Sequence, residues 1–483
     1  MSEPCDLSAT EARRLIGIKV LSPVELLDSC LRRIAATNPA LNAMVSIDEE
    51  AAQQAARDAE QAVIDATPLG LLHGLPLGVE DLQATGGLKT TWGALLYKDH
   101  IPDQDEDGVA NLRNEGAIIL SKTNTSEFGA GANTKNLVYG ATGNPFDPVK
   151  TCGSSSGGSA AALASGQVPL ATGSDYGGGL RTPAAFCGIV GFRPSPGLVP
   201  DTGRTALISP FAVNGPMART VRDAHLLLKA QIDIDKRDPF SSDDAMGLPE
   251  QLSGVDLGLL RVAFSADLGC APVDTGIRKV FAERIKAFGG IFGEAAETTP
   301  DFGAHIHEVF ETLRGIDFLA AHGVQLEKHK DLLGSNIIDD TERGMQLTAR
   351  DVALAYAEQS HIMRRFSDFF DDFDVLICPA AAVSPFPHEQ LSVSEINGET
   401  MPTSMRWLAI CYAPTTALAC VATLPCGLDH QGMPFGIQVI GPNGADALVL
   451  EVACAVEQVL AVNETTMRAV PDFVKLSATQ AGW

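Results

Sequence analysis

The sequence predicts an α/β fold, one continuous core of strands with helical layers on both faces. Three observations point there. From about residue 70 onward, short runs that are apolar on both sides alternate with amphipathic helical patterns, as strands covered on two faces require. The Gly-, Ser- and Ala-rich stretch between 150 and 215 is punctuated by Leu163, Val168, Leu170, Ile189 and Val190, so its composition is that of core and not of linker. No internal repeat and no clear linker interrupts the chain of 483 residues.

The chain opens on helices with capping boxes, Ser8-x-x-Glu11 and then Ser22-Pro23-x-Glu25, the latter leading into Val24, Leu26, Leu27, Cys30, Leu31 and Ile34. An Ala- and Gln-rich pattern predicts a helix over about 48–64. Leu75–Val79 and Ala117–Leu120 are the expected early strands, and Val168–Thr172 is a third, set between two glycine-rich segments. Further on, Thr220-x-x-Asp223 starts a helix, Asp274–Phe288 forms another, and Thr348–Phe373 is expected to be the longest. Asp374–Pro379 reads as a buried strand ending at a proline. Cys420–Leu424 and Phe435–Ile440 are two late strands with a turn at Asp429–Gly432, and the helix Asp446–Leu460 closes the core.

Composition excludes several functions. With 35 Lys+Arg against 60 Asp+Glu the net charge is −25, which repels phosphate backbones and anionic lipid, so neither nucleic acid nor a membrane surface is an expected partner. Apolar stretches are too short and broken to cross a membrane, and the polar, acidic N-terminus resembles neither a secretory signal nor a basic transit peptide. The ten cysteines form no C-x-x-C pair and lie mostly in apolar runs. They read as free thiols of a reducing compartment, and the expected location is the cytoplasm. The close pair His305-x-His307 would point its rings about 200° apart on a helix, so no metal site is expected.

The chemistry concentrates in residues 151–202. Gly153-Ser-Ser-Ser-Gly-Gly158 leads into an Ala-rich helix, and Gly177-Gly-Gly179 leads into Leu180-Arg181-Thr182-Pro183. Such loops let a ligand approach the main chain and present free N–H groups, the raw material of an oxyanion hole. A glycine-rich packing junction is the alternative that composition alone leaves open.

This stretch resembles the signature of the amidase signature family. So do Leu120-Ser-Lys-Thr-Asn-Thr-Ser-Glu-Phe128, Gly143-Asn-Pro-Phe-Asp-Pro148, Cys426-Gly-Leu and Gly432-Met-Pro-Phe-Gly-Ile-Gln-Val-Ile-Gly441. The anchors occur in order over nearly the full length. The resemblance implies a single α/β/α domain over 1–483 around a large, twisted mixed sheet, with N-terminal helices over 1–65, the signature core over 70–215, and helical layers with closing strands over 216–483. It also implies hydrolysis of carboxamides by a nucleophilic serine, a bridging serine with a cis peptide bond and a lysine base, with no cofactor and no metal.

Carried over residue by residue, the resemblance breaks at two of the three catalytic positions. The bridging serine falls on Ser155, with Ser156 beside it. The nucleophile position in Ser174-Asp-Tyr-Gly-Gly-Gly179 holds Gly179, and the lysine position in Gly74-Leu-Pro-Leu-Gly-Val-Glu80-Asp81 holds Glu80. Lys89 is nine residues further on and an unsuitable substitute, and Lys122 reads as structural. The backbone of Tyr176, Gly177, Gly178 and Gly179 is the expected oxyanion- or substrate-binding surface, and Asp175 and Arg181 are expected to support the loop. Tyr176 and Ser154 depart further from the family pattern.

These replacements predict loss of ordinary amide hydrolysis and reuse of the pocket for non-hydrolytic acid–base chemistry, such as cyclisation, isomerisation or elimination, on a small amide- or acyl-type molecule. Glu80 would be the acid or base, with Ser155 or Ser156 as its hydroxyl partner. Two other readings stand beside it: a non-catalytic pseudoamidase or scaffold protein, and an inactivated form of an ordinary small-amide hydrolase. Association as a homodimer is left open. Segments 126–140, 305–345 and 400–415 are expected to shape the pocket.

Overall fold

A computed structural model describes residues 3–241 and 247–479. Its centre is a mixed sheet of eleven strands: β1 (Met44–Ile47), β2 (Pro76–Glu80), β3 (Ile118–Thr123), β4 (Leu170–Asp175), β5 (Val190–Arg193), β6 (Val213–Ala218), β7 (Arg261–Phe264), β8 (Glu294–Glu297), β9 (Val375–Pro379), β10 (Cys420–Leu428) and β11 (Pro434–Gly441). The spatial order is β1-β3-β2-β4-β6-β5-β10-β11-β9-β7-β8. β2 runs parallel to both β3 and β4, whereas β6, β5, β10 and β11 pair antiparallel.

The sheet separates two apolar cores, and strand alternation assigns each side chain to one of them. Ile118 and Leu120 pack into the core that holds α5 (Gly157–Ala164), and Ile119 between them packs into the core that holds α7 (Val221–Gln231) and α13 (Asp446–Ala461). Helices therefore cover both faces. All eight residues of α5 are buried, and their small side chains let the helix lie close against the sheet. At Gly158 a Cβ would stand only 2.4 Å from the backbone of Asn124.

Local capping chemistry places several helix starts where the sequence puts them. Ser8 caps α1 (Ala9–Gly17), Ser22 and Glu25 form the full capping box of α2 (Pro23–Leu41), and Asp48 caps α3 (Glu49–Ile64). Asp274 caps α8 (Thr275–Phe288), and Thr348 caps α11 (Ala349–Phe369). The remaining helices are α4 (Asp107–Asn114), α6 (Arg181–Cys187), α9 (Ile306–His329), α10 (Ser335–Gln346), α12 (Ala409–Thr416) and α14 (Phe473–Ala478).

Two expectations need correction. The longest helix is α9, with 24 residues, not α11, with 21. Gly315 and Gly323 lie inside α9, and Gly315 is accommodated because α10 crosses there at Gly344: a Cβ on Gly344 would meet the Gly315 carbonyl at 2.1 Å. The strand read as Val168–Thr172 runs over Leu170–Asp175, extended by its register with β6, which pairs Val213 with Asp175. β1, four residues long and only half-buried, carries too little pattern to be read. No helix among the described residues is long and apolar enough to cross a membrane.

Candidate active site

The topology brings three segments to one end of the central strands. Glu80 is the last residue of β2, flanked by β3 and β4, and is fully buried. Its N–H donates to Thr172 Oγ1 on β4 at 3.0 Å. Its Oε1 accepts from Ser156 Oγ at 2.9 Å, Ser155 Oγ at 3.1 Å and Thr125 Oγ1 at 3.4 Å, while Oε2 is buried with no partner among the described residues. Burial pushes the carboxyl up to about 7, opposed by the hydroxyls of Ser174, Ser156 and Ser155 and by the charge of Lys122.

Ser155 and Ser156 lie in the turn that enters α5, and the Ser154–Ser155 peptide is cis. The two hydroxyls share Glu80 but face different ways. Ser155 lines a cavity of 170 Å³, whereas Ser156 is fully buried and accepts the Ser174 N–H at 3.0 Å. Ser154, on the cavity wall, donates to Ser126 Oγ at 2.9 Å.

The second glycine segment turns between β4 and α6 around Asp175. The buried Asp175 carboxylate takes a two-point fork from Arg181, at 2.9 and 2.8 Å, and a third contact from Arg193 at 3.2 Å. Burial would raise Asp175, but the two guanidiniums outweigh it and hold the carboxyl down at about 2. The same carboxylate accepts the N–H groups of Gly178 at 2.9 Å and Leu180 at 3.2 Å. This corrects the expected oxyanion surface. The Gly178 N–H is turned back onto Asp175 at φ +130°, a conformation that favours glycine, and the N–H groups of Tyr176, Gly177 and Gly179 carry no hydrogen bond among the described residues.

At Gly179 the backbone is outside the left-handed region. A Cβ there would stand 3.1 Å from Ser155 Oγ and only 2.3 Å from the Ser174 carbonyl oxygen. Position 179 thus faces the Ser155–Glu80 pair, but the Ser174 carbonyl occupies the space a side chain would need.

Neither remaining lysine reaches this centre. Lys89 is absent from the cavity wall. Lys122 is buried beneath the adjoining loop, donating to the Gln83 carbonyl and to Thr85 Oγ1 at 2.8 Å, and burial draws its ammonium down to about 8. Asp81 pins that loop by accepting Thr91 N–H at 3.0 Å and Thr91 Oγ1 at 2.5 Å, which holds Leu82 in the cavity wall. No cluster of three or more His, Cys, Asp or Glu side chains that could hold a metal occurs among the described residues. His305 stands at the start of α9, and His307 Nδ1 lies 2.5 Å from the Tyr412 hydroxyl.

With this geometry in place, similarity to known proteins decides the ancestry. The sequence pattern of the family described as Amidase matches residues 25–450. The chain belongs to the amidase family. It is 33% identical to an acylamidase of Rhodococcus erythropolis, over 94% of this chain and 95% of that protein. It is 30% identical to a glutamyl-tRNA(Gln) amidotransferase subunit from Gloeothece citriformis, over 93% of this chain and 97% of that one. A crystal structure of a bacterial aryl acylamidase of the amidase signature family superposes with a TM-score of 0.86 at 26% identity, covering 99% of both chains.

Within this amidase-family pocket, part of the wall lies beyond what the signature segments reveal. Phe128, Gly129 and Gly131, Arg314 and Phe318, and Met405 and Leu408 come from the three segments expected to shape it, and of these only Phe128 stands in a motif segment. Tyr176 closes one side. Its hydroxyl donates to Asp317 Oδ2 at 2.6 Å, and its ring meets Phe211 and Phe310 edge-on. Thr125 and Ser174, which touch or approach Glu80, lie inside motif segments but are not singled out there, because only the fold aims their hydroxyls at position 80.

Proposed function

We propose that this amidase-family protein carries out proton-transfer chemistry on a small amide- or acyl-type molecule, not hydrolysis through an acyl-enzyme. The observation that carries the reading is the Glu80–Ser155 pair: a carboxyl held near neutrality behind a hydroxyl that faces the cavity. Position 179 offers no nucleophile, and position 80 offers no amine. The unbonded N–H groups at Tyr176, Gly177 and Gly179 supply donors for a carbonyl oxygen whose charge grows as a neighbouring proton leaves. In the basic direction Ser155 Oγ takes the proton from the ligand while passing its own to Glu80 Oε1, and the return transfer restores both. At 170 Å³ the cavity is below the ~300–1,000 Å³ of drug-sized sites, which favours a ligand of few atoms. Ten free cysteines, nine of them buried, support a reducing, cytoplasmic setting.

The test uses acetoacetamide, a small amide with an acidic C–H. In D2O the protein should exchange that proton above the buffer rate, with a pH profile that rises through about 7 as Glu80 ionises. Glu80→Gln should lose at least 100-fold of the enzymatic exchange while keeping its fold. Undiminished exchange in Glu80→Gln overturns the proposal.

A further inference from the structure

Open backbone donors stand on the cavity wall at Tyr176, Gly177 and Gly179, while Ser154 and Ser155 spend their hydroxyl protons on Ser126 and Glu80. Asp175 is the one carboxylate there, and both of its oxygens are taken by Arg181, Arg193 and two backbone N–H groups. Tyr176 spends its hydroxyl proton on Asp317. Arg314, on α9 and only 5% exposed, lines the same cavity, its Cζ 5.5 Å from the ring centre of Tyr176. Its Nε and Nη2 both donate to a single oxygen, Asp340 Oδ2, at 3.2 and 2.8 Å, and its plane lies over Phe318 at 4.1 Å. Nη1 donates to no described residue, yet it is not among the buried polar atoms that lack a partner, so it retains accessible surface. A guanidinium held rigidly at one edge and open at the other is a preorganised donor fork.

Its charge is already balanced. Asp340 is bonded to it and Asp317 lies one turn along α9, so this end of the cavity holds one cation and two carboxyls, in a protein of net charge −25. A ligand carboxylate would find donors there but no surplus positive charge, whereas a neutral carbonyl would be served by the donors without that penalty.

We infer that Arg314 is a specificity-determining residue and that the cavity takes a neutral molecule with two hydrogen-bond acceptors, one carbonyl on the glycine loop and a second on Arg314. This rests on the reading of the cavity as an amide or acyl site and names its substrate class. A site built to donate rejects an analogue that lacks the acceptor, because its donors are then left buried and unpaired.

Calorimetric titration with three amides of similar length tests it: succinamide with two neutral carbonyls, pentanamide with one, and succinamate with a carboxylate. Succinamide should bind about tenfold more tightly than either of the others. In Arg314→Met/Asp340→Asn, which removes both charges together, the preference over pentanamide should fall below about twofold. Equal or tighter binding of pentanamide or succinamate to the unaltered protein overturns the inference without needing any variant, as does a preference that survives in the double variant. Binding of none of the three overturns both this inference and the reading of the cavity. Because titration reads binding and not turnover, loss of proton exchange with the binding order intact would strike the proposed chemistry alone.

Discussion

A carboxyl with three hydroxyls on one oxygen and nothing on the other is poised between its two protonation states, and folding stability should register that. Burial lifts Glu80 from its ordinary 4.5 to about 7, so between these values the folded protein binds a proton that the unfolded chain releases. The stabilising contribution is complete below about 4.5 and disappears as pH rises through about 7, a loss of about 3 kcal/mol at 1.36 kcal/mol per unit. Urea unfolding of the natural protein and of Glu80→Gln at pH 5 and pH 8 should therefore show the variant gaining on the natural protein by up to that amount at the higher pH. A pH-independent difference would mean that Glu80 does not titrate in this window.

Gly179→Ser gives a second prediction at this scale. The new Cβ must displace the Ser174 carbonyl, at a cost of about 1–3 kcal/mol. Neither Gly179→Ser nor Glu80→Lys alone should hydrolyse an aryl amide, and the double variant should recover at most weak activity, since a nucleophile and its base act as a unit. Activity in either single variant, in an aryl-amide assay, would show that positions 80 and 179 are not the degenerate ones. The sequence marks Glu80, Ser155 and Gly179 through their motif positions, but not that Ser155 faces the cavity and Ser156 the Ser174 backbone. That difference arises from the turn into α5, which a string of three serines does not encode.

At the scale of elements, the glycine loop owes its shape to one buried charge cluster. Asp175 pairs with both Arg181 and Arg193 and gathers the N–H groups of Gly178 and Leu180, while Arg181 reaches on to the Cys411 carbonyl, Thr415 and Gln438. Loop, α6, α12 and β11 are thus joined through one side chain. Asp175→Asn leaves two buried guanidiniums without their counter-ion and should cost about 3–5 kcal/mol, read by urea unfolding. A cost below about 1 kcal/mol would mean that the cluster does not hold the loop. Elements whose signal is local are legible in the sequence: caps at Ser8, Ser22, Thr220 and Thr348, and apolar runs such as Val375–Cys378. Those settled by a neighbour are not. β4 gains its last residues from pairing with β6, and α9 carries two glycines, of which Gly315 lies where α10 packs closely at Gly344.

At the scale of the molecule, the alternating apolar runs foretell one sheet between two helical layers, because each strand must feed two cores. Strand order, and with it the meeting of residues 155, 179 and 314 around one cavity with Glu80 behind Ser155, depends on contacts far apart in the chain, and only the family motifs link positions 80, 155 and 179. Arg314 stands in no motif. The deciding question is which bond of a bound amide changes. Acetoacetamide labelled with 13C at its carbons, incubated with the natural protein in D2O and followed by NMR, reports both outcomes in one sample. Proton-transfer chemistry predicts that the central C–H exchanges for deuterium above the buffer rate while the C–N bond stays intact. Accumulation of acetoacetate with ammonia, at a rate that depends on the protein, would contradict it.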